Sequence, residues 1–115
     1  MLSWMDSLKG RSLMRLTSFS DEEMLNLIDL AAQLKARRSS GVRGDLLRRR
    51  NIALIFEKSS TRTRNSTLVA VRDEGCNGEY LTRPDIHFGK KESVKDMARV
   101  LGRIYDGILV RGFSQ

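Results

Sequence analysis

Met24, Leu27, Ile28, Ala31 and Leu34 recur at intervals of three and four residues, the repeat that lines one face of an α-helix with apolar side chains. Just ahead of them stands Ser20, followed by Asp21, Glu22 and Glu23. That order is a capping box, in which the serine hydroxyl accepts from a helix-end N–H and Glu23 reaches back to the serine N–H. The pattern predicts an amphipathic helix over about residues 21–38. Farther along, Asn51–Phe56 (NIALIF) is a short apolar run without clean alternation, which predicts a strand covered on both faces and hence a parallel sheet. The small hydroxyls of residues 57–64 then break the run, and Asn65 to Glu74 reads as a helix closed by Gly75. Gly78–Leu81 is a second strand. Residues 82–91 form a long polar loop carrying the only proline, Pro84. Ser93 with Asp96 caps a further helix whose Val94, Met97, Ala98, Leu101, Ile104 and Tyr105 share a face. Gly107–Val110 is a third strand, with Arg111 at its end.

Strand, helix, strand, helix, strand with short turns predicts an α/β fold: a parallel sheet with flanking helices in three layers and right-handed crossovers. No internal repeat or low-complexity tract interrupts it. With 115 residues, 40% of them hydrophobic, the chain is expected to form one soluble domain or a piece of one, around a small core. No apolar run is long enough to span a membrane, and the start is charged too soon for a secretory signal, so a cytoplasmic location is expected. A single cysteine, Cys76, forms no internal disulfide, and with His87 as the one histidine no Cys/His cluster can hold zinc. Cys76, on a helix-to-strand turn, is expected to be a small packing residue.

Lys and Arg number 21 against 14 Asp and Glu, a net charge of +7 that favours an anionic partner: nucleic acid, acidic lipid or a small phosphorylated substrate. Arg37, Arg38, Arg43, Arg48, Arg49 and Arg50 fall in one polar stretch with Ser39, Ser40, Gly41 and Gly44. Two readings stand for it, a solvated connection or a partner-binding patch. The stretch lacks stacking aromatics and no groove-reading motif is present, which argues against nucleic acid.

Ligands of open α/β sheets sit beyond the carboxyl ends of the strands, which directs attention to residues 58–64 and to Arg111. Ser60, Thr61, Arg62 and Thr63 stand at a strand-to-helix junction, where unpaired N–H groups and the positive dipole end favour an anion. Hydroxyls and an arginine fork would add hydrogen bonds suited to a phosphate. The plainer reading is that Ser60 or Thr61 only caps the helix while Arg62 and Arg64 lie in solvent.

The segment F-E-K-S-S-T-R-T-R, from Phe56 to Arg64, resembles the F-E-K-x-S-T-R-T-R signature of ornithine carbamoyltransferases, shared in shorter form with aspartate carbamoyltransferases. Residues 89–96 (GKKESVKD), 98–107 (ARVLGRIYDG) and 111–113 (RGF) are similar to further segments of that family, and Leu8–Arg11 and the first helix fit its N-terminus. The resemblance covers nearly the whole chain. It implies the carbamoyl-phosphate-binding domain of that fold, incomplete, over residues 1–115. Ser60, Thr61, Arg62 and Thr63 would hold the phosphate of carbamoyl phosphate, and Arg111 the phosphate or the carbamoyl oxygen. Arg62 and Arg111 would also stabilise charge as the amine of ornithine attacks the carbamoyl carbon and phosphate leaves. The product is citrulline, a step of arginine metabolism that needs no cofactor or metal. His87 stands where such enzymes carry a residue that reaches a neighbouring subunit's site, and otherwise reads as an exposed loop histidine. Lys91 is a weaker candidate of the same kind. Sites shared in this way imply a trimer.

The sequence also departs from the family. Thr67 and Leu68 occupy places that usually hold an aromatic and a glutamate, so Arg64 is expected to lack its usual carboxylate. The emptied aromatic site is expected to cost about 1–3 kcal/mol of stability if it is not refilled. The resemblance stops short of the family's ornithine-binding second domain and of the segments that complete the active site, which are expected to be absent. The chain is therefore expected to be inactive or nearly so alone, with bare sheet surface that promotes self-association. Competing readings are a non-catalytic module that joins full-length carbamoyltransferase subunits, and a carbamoyltransferase half for a different acceptor amine.

Overall fold

The structure, a computed structural model, describes residues 3–56, 61–82 and 94–112. Two compact units divide it, Met1–Val42 and Arg43–Gln115.

In the first unit, two short 3-10 helices, Ser3–Leu8 and Leu16–Ser18, precede helix α1, Asp21–Ser39. The capping box is present as expected: the Glu23 N–H donates to the Ser20 hydroxyl at 3.1 Å and the Ser20 N–H donates to the Glu23 carboxylate at 2.9 Å. Arg11 reinforces it, reaching Glu23 at 2.8 Å and the Ser18 carbonyl at 2.6 Å, with its guanidinium 4.4 Å above the Phe19 ring. The inner face of α1 differs from the expected stripe. Met24, Leu27 and Leu34 are half-buried, but Ile28 is 62% exposed and Ala31 is also exposed, while Leu30 is half-buried. A 3.6-residue repeat allows a step of either three or four after Leu27, and the helix uses three.

The second unit is built on a parallel sheet of order β2-β1-β3, with β1 at Asn51–Phe56, β2 at Asn77–Leu81 and β3 at Gly107–Arg111. Helix α2, Thr61–Asp73, follows β1, and helix α3, Val94–Ile104, precedes β3. As the central strand, β1 carries four consecutive buried residues, Ala53, Leu54, Ile55 and Phe56, as its unbroken apolar run requires. The two helices cover opposite faces. Leu54 and Gly78 lie beneath Leu68 and Val71 of α2, whereas Ile55 packs with Leu101, Leu81, Met97 and Tyr105 on the α3 side. The chain steps from β1 outward to β2 and then back past β1 to β3. Two crossovers of the same hand must then lie on opposite faces, which yields three layers.

Helix α2 ends in a Schellman motif: Cys76 N–H donates to the Val71 carbonyl, Gly75 N–H donates to that of Arg72, and Gly75 takes φ +81°. The arginine-rich stretch is divided. Arg37 and Arg38 belong to α1, whereas Gly44, Leu47 and Arg49 donate their N–H groups to the carbonyls of Asp73, Glu74 and Gly75. That segment thus satisfies the open end of α2, with arginines where the helix dipole favours cations. Residues 40–50 thus link α1 to β1 while closing the end of α2.

Among the described residues, β3 is hydrogen-bonded to β1 alone, and Ile108, Leu109 and Val110 are 39%, 38% and 61% exposed. No helix of the described residues is long and apolar enough to cross a membrane.

Candidate functional site

Residues of one parity on a strand share a face. Register pairs Leu54 with Tyr80 and Phe56 with Arg111, so Tyr80, Phe56 and Arg111 stand side by side on the α2 face at the carboxyl ends of the three strands. The first turn of α2 lies over them. This is where a ligand of an open parallel sheet is expected.

Helix α2 begins at Thr61, four residues ahead of the expected start at Asn65. Thr61, Arg62 and Thr63 therefore form the helix's first turn instead of a preceding loop. Hydroxyl-bearing residues suit a helix start, where backbone N–H groups are unpaired within the helix, and this start has no acidic residue in its first turn. The positive end of the dipole is left without a neighbouring carboxylate from its own turn.

The sequence placed Arg111 and Thr63 in one site although they are far apart in the chain, and the structure joins them: Arg111 Nη1 donates to Thr63 Oγ1 at 2.6 Å. Thr61 and Arg62 are exposed and Thr63 is half-buried. The expected phosphate ligands Thr61, Arg62, Thr63 and Arg111 thus meet at one end of the sheet. Ser60, His87 and Lys91 lie outside the described residues.

Arg64 is the addition that sequence reasoning missed. Its guanidinium carbon lies 4.0 Å above the centre of the Tyr80 ring, within cation–π range. Tyr80 in turn meets the buried Phe56 ring edge to face, at 5.6 Å between centroids. Where a carboxylate partner for Arg64 was expected to be lacking, the structure gives this arginine an aromatic face. Alternation along 77–81 puts Tyr80 and Gly78 on one side; only the register with β1 shows which helix they face.

The opposite end of the sheet holds an open cavity of about 310 Å³ lined by Asn51, Arg72, Cys76, Asn77, Gly78, Glu79 and Tyr105. It lies at the amino ends of β1 and β2, away from the arginines of the first site. Cys76 is buried, its Sγ 3.2 Å from the Arg50 carbonyl, and burial, with the charge of Asp106, pushes its thiol pKa up. It behaves as the packing residue expected. Among the described residues, no group of three or more His, Cys, Asp or Glu could hold a metal ion.

Residues 11–115 match the family described as Aspartate/ornithine carbamoyltransferase, carbamoyl-P binding domain, and the chain belongs to that family. A catabolic ornithine carbamoyltransferase from Bacillus cereus is 51% identical over 114 residues, covering 99% of this chain and 34% of the relative. The structure superimposes on ornithine carbamoyltransferase from Pyrococcus furiosus with a TM-score of 0.84 and 36% identity, over 90% of this chain and 33% of that one. The catalytic subunit of M. jannaschii aspartate transcarbamoylase gives a TM-score of 0.74 and 28% identity, over 87% of this chain and 33% of that one. The chain spans about a third of the length of the relatives it matches.

Proposed function

We propose that this chain is the carbamoyl-phosphate-binding part of an ornithine carbamoyltransferase, contributing to the transfer of a carbamoyl group from carbamoyl phosphate to L-ornithine with release of citrulline and phosphate. The observation that carries the reading is the Arg111–Thr63 bond, which draws a guanidinium from β3 onto the first turn of α2. A phosphate placed there would accept from the N–H groups of that turn, from the threonine hydroxyls and from Arg62, with Arg111 beside it. Arg62 and Arg111 would then stabilise the charge that develops as the amine attacks the carbamoyl carbon. Ser60 would join the phosphate ligands, and His87 and Lys91 would extend toward a neighbouring subunit in a trimer.

Ornithine is preferred over aspartate as acceptor because the residues before the phosphate motif and the 98–107 segment resemble ornithine enzymes, and the relative from Bacillus cereus carries that name. The chain alone is proposed to bind carbamoyl phosphate and to turn over little or no ornithine. A second reading, a module that associates with full-length carbamoyltransferase subunits, draws on the exposed apolar residues of β3.

The test is the melting temperature of the purified chain with increasing carbamoyl phosphate, beside an Arg62→Ala control. A dose-dependent rise that the variant loses supports the phosphate site. A cooperative melt that carbamoyl phosphate does not move refutes binding and shifts weight to the second reading.

A further inference from the structure

We infer that Tyr80 and Arg64 are positioning residues for the anion site: the Tyr80 ring, braced by Phe56, holds Arg64 and with it the first turn of α2 over the strand ends. The inference rests on the phosphate reading above and adds residues from a strand that the reading does not use. Consecutive residues of α2 are fastened to the two outer strands, Thr63 to Arg111 of β3 and Arg64 to Tyr80 of β2. Phe56 links the two attachments. It is the ladder partner of Arg111, and its ring meets Tyr80 edge to face. Phe56 is only 4% exposed, so the brace is fixed in the core while Arg64 sits at the surface.

The first turn of a helix is the part that frays, because its N–H groups have no partners within the helix. Those same N–H groups are the proposed phosphate donors, so their affinity for an anion depends on the turn being held in place before the anion arrives. In this turn Arg62 is exposed and has no ion-pair partner among the described residues. The two neighbouring side chains, Thr63 and Arg64, supply the restraint. A planar guanidinium lying over a ring fixes direction as well as distance, which a flexible ammonium does not. Stacking also leaves the arginine's charge beside the site, where a carboxylate partner would cancel it for an incoming anion.

The experiment uses the 115-residue chain and inorganic phosphate as probe. Phosphate dissociation constants are measured by calorimetry for the unsubstituted chain, Tyr80→Leu, Tyr80→Phe and Arg64→Lys, and each is melted without phosphate. The expected result is a dissociation constant raised roughly threefold to tenfold in Tyr80→Leu and in Arg64→Lys, with Tyr80→Phe close to the unsubstituted chain because it keeps the ring face. A purely structural role would lower the melting temperature of Tyr80→Leu and leave the phosphate affinity of the folded chain unchanged, which overturns the inference and spares the phosphate site. Should Tyr80→Leu fail to fold, Arg64→Lys decides, since Arg64 is exposed; unchanged affinity in that variant overturns the inference. An unsubstituted chain that melts cooperatively and binds no phosphate overturns both.

Discussion

Asn51 and Asp106 hold each other by both ends: the Asn51 N–H donates to the Asp106 carboxylate at 2.9 Å, and the Asp106 N–H donates to the Asn51 carbonyl at 2.8 Å. Arg50 adds a longer contact to the same carboxylate at 3.4 Å. The pair sits where β1 begins and just before β3, so it sets the register of the ladder from its first position. Asp106→Ala is expected to lower stability by about 1–2 kcal/mol, and Asp106→Asn by less because an acceptor oxygen remains. Urea unfolding of the three chains measures it, and equal midpoints would show that the pair contributes nothing.

Gly78 has no room for a side chain. A methyl group there would lie 2.9 Å from both Leu68 Cδ2 and Val71 Cγ2, closer than packed carbon atoms approach. Gly78→Ala is expected to cost about 1–3 kcal/mol by pushing α2 off β2. Val71→Ala removes one of the two obstructing methyls, so the double variant should lose less than the sum of the singles. Strict additivity in denaturant titrations would contradict the contact.

Acid should loosen the start of α1. The Glu23 carboxyl is held below its ordinary pKa, chiefly because it accepts from the Ser20 backbone N–H and further through Ser7 and Arg11. A carboxyl whose pKa is lower folded than unfolded adds stability above its unfolded value and loses it as the pH falls through the folded value. Helicity followed by circular dichroism should therefore decline on the acid side of the usual glutamate range, and Glu23→Gln should show less of that decline. An identical acid profile for the two would sink the assignment.

The thiol of Cys76 should be slow to react. Burial raises its pKa and keeps it protonated, so alkylation at mildly alkaline pH should proceed far more slowly in the folded chain than in denaturant. The same displacement leaves stability whole below the ordinary thiol value and erodes it as the pH climbs beyond, where the unfolded thiol ionises first. Equal rates folded and unfolded would mean that the site opens readily.

Much of this was legible in the sequence because local rules and the fold agree. The run 51–56 has the composition of a central strand and is one, and Ser20 with Glu23 can form a capping box without help from the rest of the chain. Arg111 could be paired with the 60–64 segment from the rule that parallel strands bring their carboxyl ends together. The start of α2 is not legible in the same way, because Thr61, Arg62 and Thr63 look like a polar turn when only apolar periodicity is followed, and the first turn of a helix need not contain apolar residues. In α1, periodicity admits Leu30 or Ala31 equally and the tertiary setting chose. The contact of Arg64 with Tyr80 depends on strand register, which no local pattern encodes.

The Thr63–Arg111 bond joins residues 48 positions apart, and the Asn51–Asp106 pair joins residues 55 apart. Contacts of such separation are late and slow to form, because a long segment must be closed before they return any energy. Strand β1, helix α2 and strand β2 can associate as a nearer neighbourhood, with β3 arriving afterwards. The arginine that β3 delivers reaches Thr63 only once β3 has docked. On the proposed phosphate reading, anion binding then reports the docking of β3: in a refolding experiment, binding that depends on Arg111 should not appear before the helices have regained their signal.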